Sequence, residues 1–344
     1  MTSLYEQYAD LKAKGSKLHP RDAARALQGT EAELVASMPH SRRLGGTPQA
    51  LVRALGTLGD AKTMTRNELA VIEKWGRFEE IDAEEGVMMG QVVGEDLDLR
   101  LFFSHWQSWF FVEEPQGDTV RTSLQVFDKR GDSAFKVFAE SEESRKALLA
   151  LAEAAGAAPA TPLLAGGVEP ERRPSGDQNV DVEAFWAEWD AMQNTHEFFG
   201  LLRKYGLARV RALELAGTSR AREVEPNALE LLLEAAAGAG QPIMVFVGSR
   251  GVIQIHTGPV HTIKRMGGYL NVLDRGFNLH VKDEGIKRAF VVRKPTADGD
   301  VTSLELYDAD GETVALLFSK RKPGQIEVEP WREMLRALPG RGQS

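Results

Sequence analysis

The sequence predicts an α+β fold built twice, with two large antiparallel sheets and helices collected at their ends. Three observations carry that expectation. Residues 99–138 align without a gap with residues 279–318 at an offset of 180, with 11 identities in 40 positions, where average residue usage gives roughly two or three. Stretches of strand length recur at spacings of roughly ten residues, divided by Gly, Pro, Asn and Asp, which is a meander pattern and not one of β-α-β crossovers. Each half also opens and closes on sequence of helical period. The clearest short repeat is TSLQVFDKRGD against TSLELYDADGE, two strand-like runs each entering a turn of Asp, Gly and polar residues.

In order along the chain, the first repeat covers residues 1–155. LYEQYADL at 4–11 begins it as an amphipathic helix. The stretches VMMGQVV, LDLRLFF, SWFFVEE and TSLQVFD follow as strands, and SEESRKALLALAEAA closes it as a helix. Residues 156–180, dense in Ala, Gly, Pro and charge, read as a linker because such composition rarely packs into a core. The second repeat, 181–344, opens on VEAFWAEWDAMQNTHEFFGLLRKYG, where FWAEWDAM matches LYEQYADL at an offset of 181. Its strands are IMVFVG, GVIQIHTG, FNLHV, AFVVRK, SLELYD and ALLFS, and PWREMLRALP is its last helix. Two such sheets leave a cleft as the natural place for a ligand.

Composition narrows the function. The 344 residues are 42% hydrophobic and 27% charged, and without a long apolar run the chain reads as a soluble globular protein of two domains. The polar N-terminus lacks the pattern of a secretory signal, so a cytoplasmic location is expected. Cysteine is absent, which removes disulfides, thiolate metal sites, iron–sulfur clusters and cysteine nucleophiles together. A net charge of −8 argues against nucleic acid as the main partner.

In the opening segment of the second repeat, Phe185, Trp189, Met192, His196 and Phe199 fall at alternating steps of four and three. They therefore share one face of a helix, and His196 points inward with the aromatics. Two readings are open: a core imidazole bonded to a backbone carbonyl, or an axial ligand of iron. The offset of 181 sets Gly15 opposite His196, so the fold itself does not require an imidazole there. Arg100 corresponds to His280, and alternation in LDLRLFF puts Arg100 and Phe102 on one face, with Leu99, Leu101 and Phe103 on the other. Near His105, Trp106 and Trp109, Arg100 could lie over a planar ligand or pack its stem on aromatics.

Other patterns are less specific. His256 and His261 lack the regular spacing and the nearby carboxylate of a metal site and read as turn and strand residues. No glycine pattern matches a phosphate-binding loop, and no GxSxG is present. Arg293 and Lys294 close one strand, and Lys320, Arg321 and Lys322 follow another, so these cations could meet ligand carboxylates or simply solvate strand ends.

Several stretches together, DLDLRLFFSHWQSWFFVEE, THEFFGLLRKYGLAR, GVIQIHTGPV, YLNVLDRGFNLHV and FSKRKPG, resemble the cytoplasmic haem-utilisation proteins of the HemS, ChuS and PhuS type over nearly the whole chain. The resemblance implies haem held between the halves, with His196 as the proximal ligand to iron and Arg100 on the distal side, assisted by Phe102. It implies that Arg209, Lys294, Tyr307 and Arg321 engage the propionates or line the pocket. Two departures stand out: NELAVIEKWGRFEEI has no histidine where family members often carry one, and His196 is alone in THEFFG, whereas one haem chaperone of the family clusters several.

Two functions follow from the resemblance. One is oxidative ring opening of imported haem with release of iron, haem being both ligand and substrate, an external electron donor supplying reduction, and Arg100 stabilising charge on bound oxygen. The other is a carrier without chemistry, which takes haem from a transporter at the inner membrane and passes it to a separate oxygenase.

Overall fold

One order of elements runs through the chain twice. The computed structural model describes residues 2–159, 163, 180–321 and 324–342, so most of the expected linker and Lys322 lie outside the described residues. The first copy contains α1 (Leu4–Ala13), α2 (Pro20–Ala26), α3 (Glu31–Ser37), β1 (Ser41–Arg43), α4 (Pro48–Ala54), β2 (Ala61–Arg66), β3 (Ala70–Gly76), β4 (Ile81–Asp82), β5 (Met89–Val93), β6 (Asp98–Phe102), β7 (Trp106–Gln116), β8 (Thr119–Asp128), β9 (Ser133–Ala139) and α5 (Glu142–Ala155). The second contains α6 (Val182–Asp190), α7 (Glu197–Tyr205), α8 (Arg209–Leu215), β10 (Ala221–Val224), α9 (Ala228–Ala239), β11 (Ile243–Gly248), β12 (Val252–Gly258), β13 (Ile263–Met266), β14 (Tyr269–Asp274), β15 (Phe277–Val281), β16 (Arg288–Lys294), β17 (Val301–Tyr307), β18 (Thr313–Ser319) and α10 (Glu329–Ala337). Helices and strands thus recur one for one.

The expected α+β duplication with two large antiparallel sheets is what forms. Among the described residues each sheet has nine strands, in the orders β1-β7-β8-β9-β2-β3-β15-β14-β13 and β10-β16-β17-β18-β11-β12-β6-β5-β4. Raising every strand number of the first by nine, and continuing from the start after eighteen, yields the second. The repeat is therefore kept in topology as well as in sequence.

The chain divides into two units, each taking a short segment from the opposite half: Met1–Arg66, Ile72–Glu169 and Gly248–Ile255 form one, and Asn67–Val71, Pro170–Val247 and His256–Ser344 the other. In the first unit, Leu99, Leu101, Leu124, Val126, Val137 and Leu148 pack a core between sheet and helices α4 and α5, while Leu34, Val35, Phe110 and Phe127 pack beneath α1–α3. In the second, Phe185, Trp189, Phe198, Leu202, Leu213, Phe290 and Tyr307 pack beneath α6–α8. Burial of that many large apolar side chains is the main force holding each unit together. Local signals set the helix starts: Ser3 with Glu6 and Thr30 with Glu33 form capping boxes, and Asp181 accepts from the Ala184 N–H.

The structure corrects the expected helix around His196. It is broken: α6 ends at Asp190 and α7 starts at Glu197. In between, Asn194 Oδ1 accepts from the His196 N–H at 2.9 Å and Glu197 accepts from the Gln193 N–H at 3.2 Å. Such side-chain bonds offer the backbone an alternative to the helical ladder. The register of buried residues is lost across the break. Phe185, Trp189 and Met192 are buried as expected, but Phe198 is buried in place of Phe199, which is 66% exposed, and His196 is exposed rather than inward.

The break also changes the internal comparison. Elements α1 and α6 begin 178 residues apart, at Leu4 and Val182, and His19 precedes α2 just as His196 precedes α7. By element order the counterpart of His196 is His19 and not Gly15.

Candidate functional site

His196 sits at the head of α7, as its N-cap residue in helical conformation, and its side chain caps nothing. Among the described residues its ring has no hydrogen-bond partner. An exposed imidazole without an internal partner is available to an external ligand. Two residues on, the Phe198 ring is inserted into the unit and meets Trp189 edge-on at 4.8 Å. Trp189 is tied in turn to the sheet by its indole N–H, which donates to the Arg293 carbonyl at 2.9 Å. The position of His196 is thus fixed by its backbone and its neighbours rather than by bonds of its ring.

Phe198 covers a buried ionic cluster. The Lys294 ammonium lies 4.5 Å and the Arg209 guanidinium 5.1 Å from its ring centre, within cation–π range. Both cations converge on Glu305, which is fully buried. Arg209 donates through Nε and Nη2 to the two carboxylate oxygens, each at 2.9 Å, and Lys294 Nζ donates at 2.6 Å. Ser303 Oγ donates at 3.2 Å, and the Tyr307 hydroxyl also donates to Glu305 while accepting from Arg209 Nε at 2.8 Å. The carboxylate is saturated, as a charge at such depth requires.

Electrostatics follow from this arrangement. Burial opposes ionisation of Glu305, but Arg209 and Lys294 outweigh it and hold the carboxyl well below the usual range. Burial pushes the Lys294 ammonium down to about 8, with Glu305 pulling the other way and Arg209 adding to the drop. Burial also pushes the Tyr307 phenol well above its ordinary value. With Tyr307 neutral, two cations and one anion leave the cluster a net positive charge near neutral pH.

The remaining cations differ in availability. Arg293 is engaged by Asp190 at 3.2 Å and Asp300 at 3.1 Å. Arg321 is half-buried just past β18, outside the Glu305 cluster. Gly324, three positions on in sequence, donates its N–H to Asp298 at 3.1 Å, and the neighbouring Ala297 N–H donates to the Gln193 carbonyl at 2.9 Å, three residues before His196.

In the first unit, Arg100 and Phe102 stand on one face of β6 while Leu99 and Leu101 are fully buried on the other, as alternation predicts. Arg100 lies between Gln91 on β5 and Ile253 on β12, and pairs with Asp98 on its own strand. Of the aromatics expected beside it, Trp106 is buried and donates to the Gly251 carbonyl, and Trp109 donates to the Gly45 carbonyl, both at 3.0 Å. Both indoles are therefore committed to the framework. His256 stacks on Phe277 at 3.6 Å and contacts the Pro259 carbonyl, and no group of three or more His, Asp or Glu suited to a metal ion is found among the described residues.

The structure thus joins Arg209, Lys294 and Tyr307 in one cluster beneath Phe198, two residues from His196, leaves Arg321 apart from it, and sets Arg100 with Phe102 in the first unit. Sequence reasoning missed Glu305 and Phe198. Glu305 could have been found by the internal comparison, because a charged residue in SLELYD stands where the first repeat has Gln125.

Comparison with known proteins places the chain in a family. The family model of the haemin-degrading HemS.ChuX domain matches twice, over residues 28–154 and 206–338. Arg100 and the Glu305 cluster fall inside the matched segments and His196 between them. The hemin transport proteins HmuS of Yersinia pestis and HemS of Yersinia enterocolitica are each 37% identical over 341 residues, 98% of this chain and 97% of theirs. Among solved structures, holo-PhuS, a haem-binding protein from Pseudomonas aeruginosa, matches with a TM-score of 0.93 and 42% identity over 98% of both chains. ChuS, an E. coli haem oxygenase, matches with a TM-score of 0.86 and 35% identity over 98% of this chain and 99% of its own. With both repeats matched and relatives similar end to end, the chain belongs to the HemS/ChuX family of haem-utilisation proteins.

Proposed function

We propose that this protein binds haem with His196 as the axial ligand and opens the macrocycle oxidatively, releasing iron. The observation that carries the reading is the exposed imidazole at the head of α7, without an internal side-chain partner, two residues from the Phe198 ring that packs on a buried cluster of net positive charge. A neutral imidazole suits ferric or ferrous iron, and fixed cations suit the carboxylates that haem bears at its edge. Arg209 and Arg321 are assigned to those carboxylates, and Lys294 and Tyr307 to the wall behind them. Haem is substrate here, and it supplies the iron chemistry of its own breakdown once an external donor provides electrons. Arg100, with Phe102, is assigned to the oxygen-bearing face, where a guanidinium donor stabilises developing negative charge. The protein acts in the cytoplasm on haem arriving from a transporter.

The names of the relatives support a second reading, since two are hemin transport proteins. In that reading the same site carries haem to an acceptor. One experiment addresses both: titrate the apoprotein with hemin against His196→Ala, following the Soret band, then add ascorbate under air with catalase. A one-to-one endpoint lost in the variant supports ligation by His196. Subsequent catalase-resistant decay that depends on Arg100 favours breakdown, a stable band favours carriage, and a wild-type spectrum in the variant overturns the ligand assignment.

A further inference from the structure

Arg209 is out of place by local rules. It is the first residue of α8, where the helix dipole disfavours a cation, and its counterpart at the first position of α3 is Glu31. Glu31 is buried and bonded by Lys136 of β9, whereas Arg209 pairs with Glu305 of β17, so each unit ties this helix start to its sheet by an ion pair, with opposite charge on the helix and a different strand of the repeat as partner. A reversal that works against the helix needs another reason.

The bonding pattern supplies one. Glu305 and Tyr307 occupy Nε of Arg209, and Glu305 also occupies Nη2. Nη1 has no hydrogen-bond partner among the described residues, and the side chain is 27% exposed. Lys294, by contrast, is 4% exposed and spent on Glu305. Of the four residues gathered on Glu305, only Arg209 keeps both an unused donor edge and access to solvent.

We propose that Glu305 is a positioning residue: by clamping one edge of Arg209, it fixes the remaining Nη1 edge as the seat for a carboxylate of a metalloporphyrin held by His196. This rests on the haem reading and adds to it a source of ligand selectivity. The guanidinium is planar and rigid, so fixing two of its nitrogens fixes the third. A preorganised donor of this kind spends little entropy on binding. Phe198, packed on Arg209 and Lys294 and two residues from His196, ties the cation and the ligand-bearing helix end into one piece. The specificity is for free carboxylates over esters.

The test compares hemin with hemin dimethyl ester on the full chain, in wild type, Arg209→Ala, Glu305→Gln and Glu305→Gln/Lys294→Met. Wild type is expected to prefer the diacid by about tenfold or more, the scale of a charge-assisted hydrogen bond. Arg209→Ala removes that preference. Glu305→Gln deletes a negative charge beside the seat, so charge alone predicts tighter binding of the diacid, whereas positioning predicts a preference falling toward one. The double variant keeps the formal charge of wild type and removes the buried ammonium that Glu305 neutralises, which protects the test against failure to fold. Its preference is also expected to fall. A purely structural role would lower the melting temperature and leave the ratio unchanged. A normal wild-type complex with an undiminished ratio in the Glu305 variants overturns this inference alone, and absence of any saturable His196-dependent Soret change in wild type overturns the haem reading with it.

Discussion

The two units share their order of elements and differ in the charge beneath their opening helices. In the second, Arg209 at the start of α8 and Lys294 on β16 share Glu305 on β17. In the first, Glu31 at the start of α3 pairs with Lys136 on β9, and Gln125, Glu114 and Phe127 stand where Glu305, Lys294 and Tyr307 stand 180 residues later. The first arrangement obeys the helix dipole and the second defies it. The duplicated fold tolerates either, so the second cluster answers to something beyond folding. Local rules are most often broken at functional sites.

That comparison can be broken or sharpened by experiment. The largest effect is expected from His196→Ala, which should abolish the stoichiometric Soret complex while His19→Ala, its counterpart by position, leaves it intact. Equal losses in the two variants would mean that the first unit carries an equivalent site.

Next in size is stability. Glu305→Ala leaves the buried Lys294 and the partly exposed Arg209 uncompensated and is expected to cost about 3–5 kcal/mol. Glu31→Ala strands Lys136 as its bonded partner, and a smaller loss is expected. Urea denaturation of the two variants side by side would show it, and the opposite ranking would remove the contrast between the clusters.

Arg100→Ala should retain one-to-one hemin binding and slow ascorbate-driven decay by roughly a hundredfold, the scale seen when a preorganised donor to developing charge is removed. The counterpart change, His280→Ala, should leave decay close to wild type. A similar slowing from both would argue that the strand position, and not the guanidinium, matters.

The smallest effect is a pH signature. Lys294 titrates near 8 when folded and near 10.4 when unfolded, so between these values the unfolded chain binds more protons and stability rises with pH. Below about pH 8 the lysine is protonated in both states and its contribution is constant. Urea midpoints at pH 7.5 and 9.5 should therefore show a wild-type increment that Lys294→Met lacks.

How much was legible beforehand differs by residue. Alternation in LDLRLFF placed Arg100 and Phe102 on one face because the strand period is two and one face of β6 is fully buried. Periodicity failed at His196 because Asn194 and Glu197 bond the backbone locally, an effect invisible in the spacing of apolar residues. It was this break that turned a histidine expected in the core toward solvent. The family resemblance singled out Lys294 and Tyr307, but nothing in AFVVRKP or SLELYD announced that both would be buried on Glu305.

By itself the sequence determined the duplication, the α+β class, the antiparallel strands and the family, because apolar periodicity and turn residues act over short stretches and recur at a constant offset. Only the tertiary structure decided which strands became neighbours, which short segments, 67–71 and 248–255, joined the opposite half, and which cation kept a free edge. Those outcomes depend on groups distant in sequence competing for one buried carboxylate, and a competition of that kind has no local pattern to read.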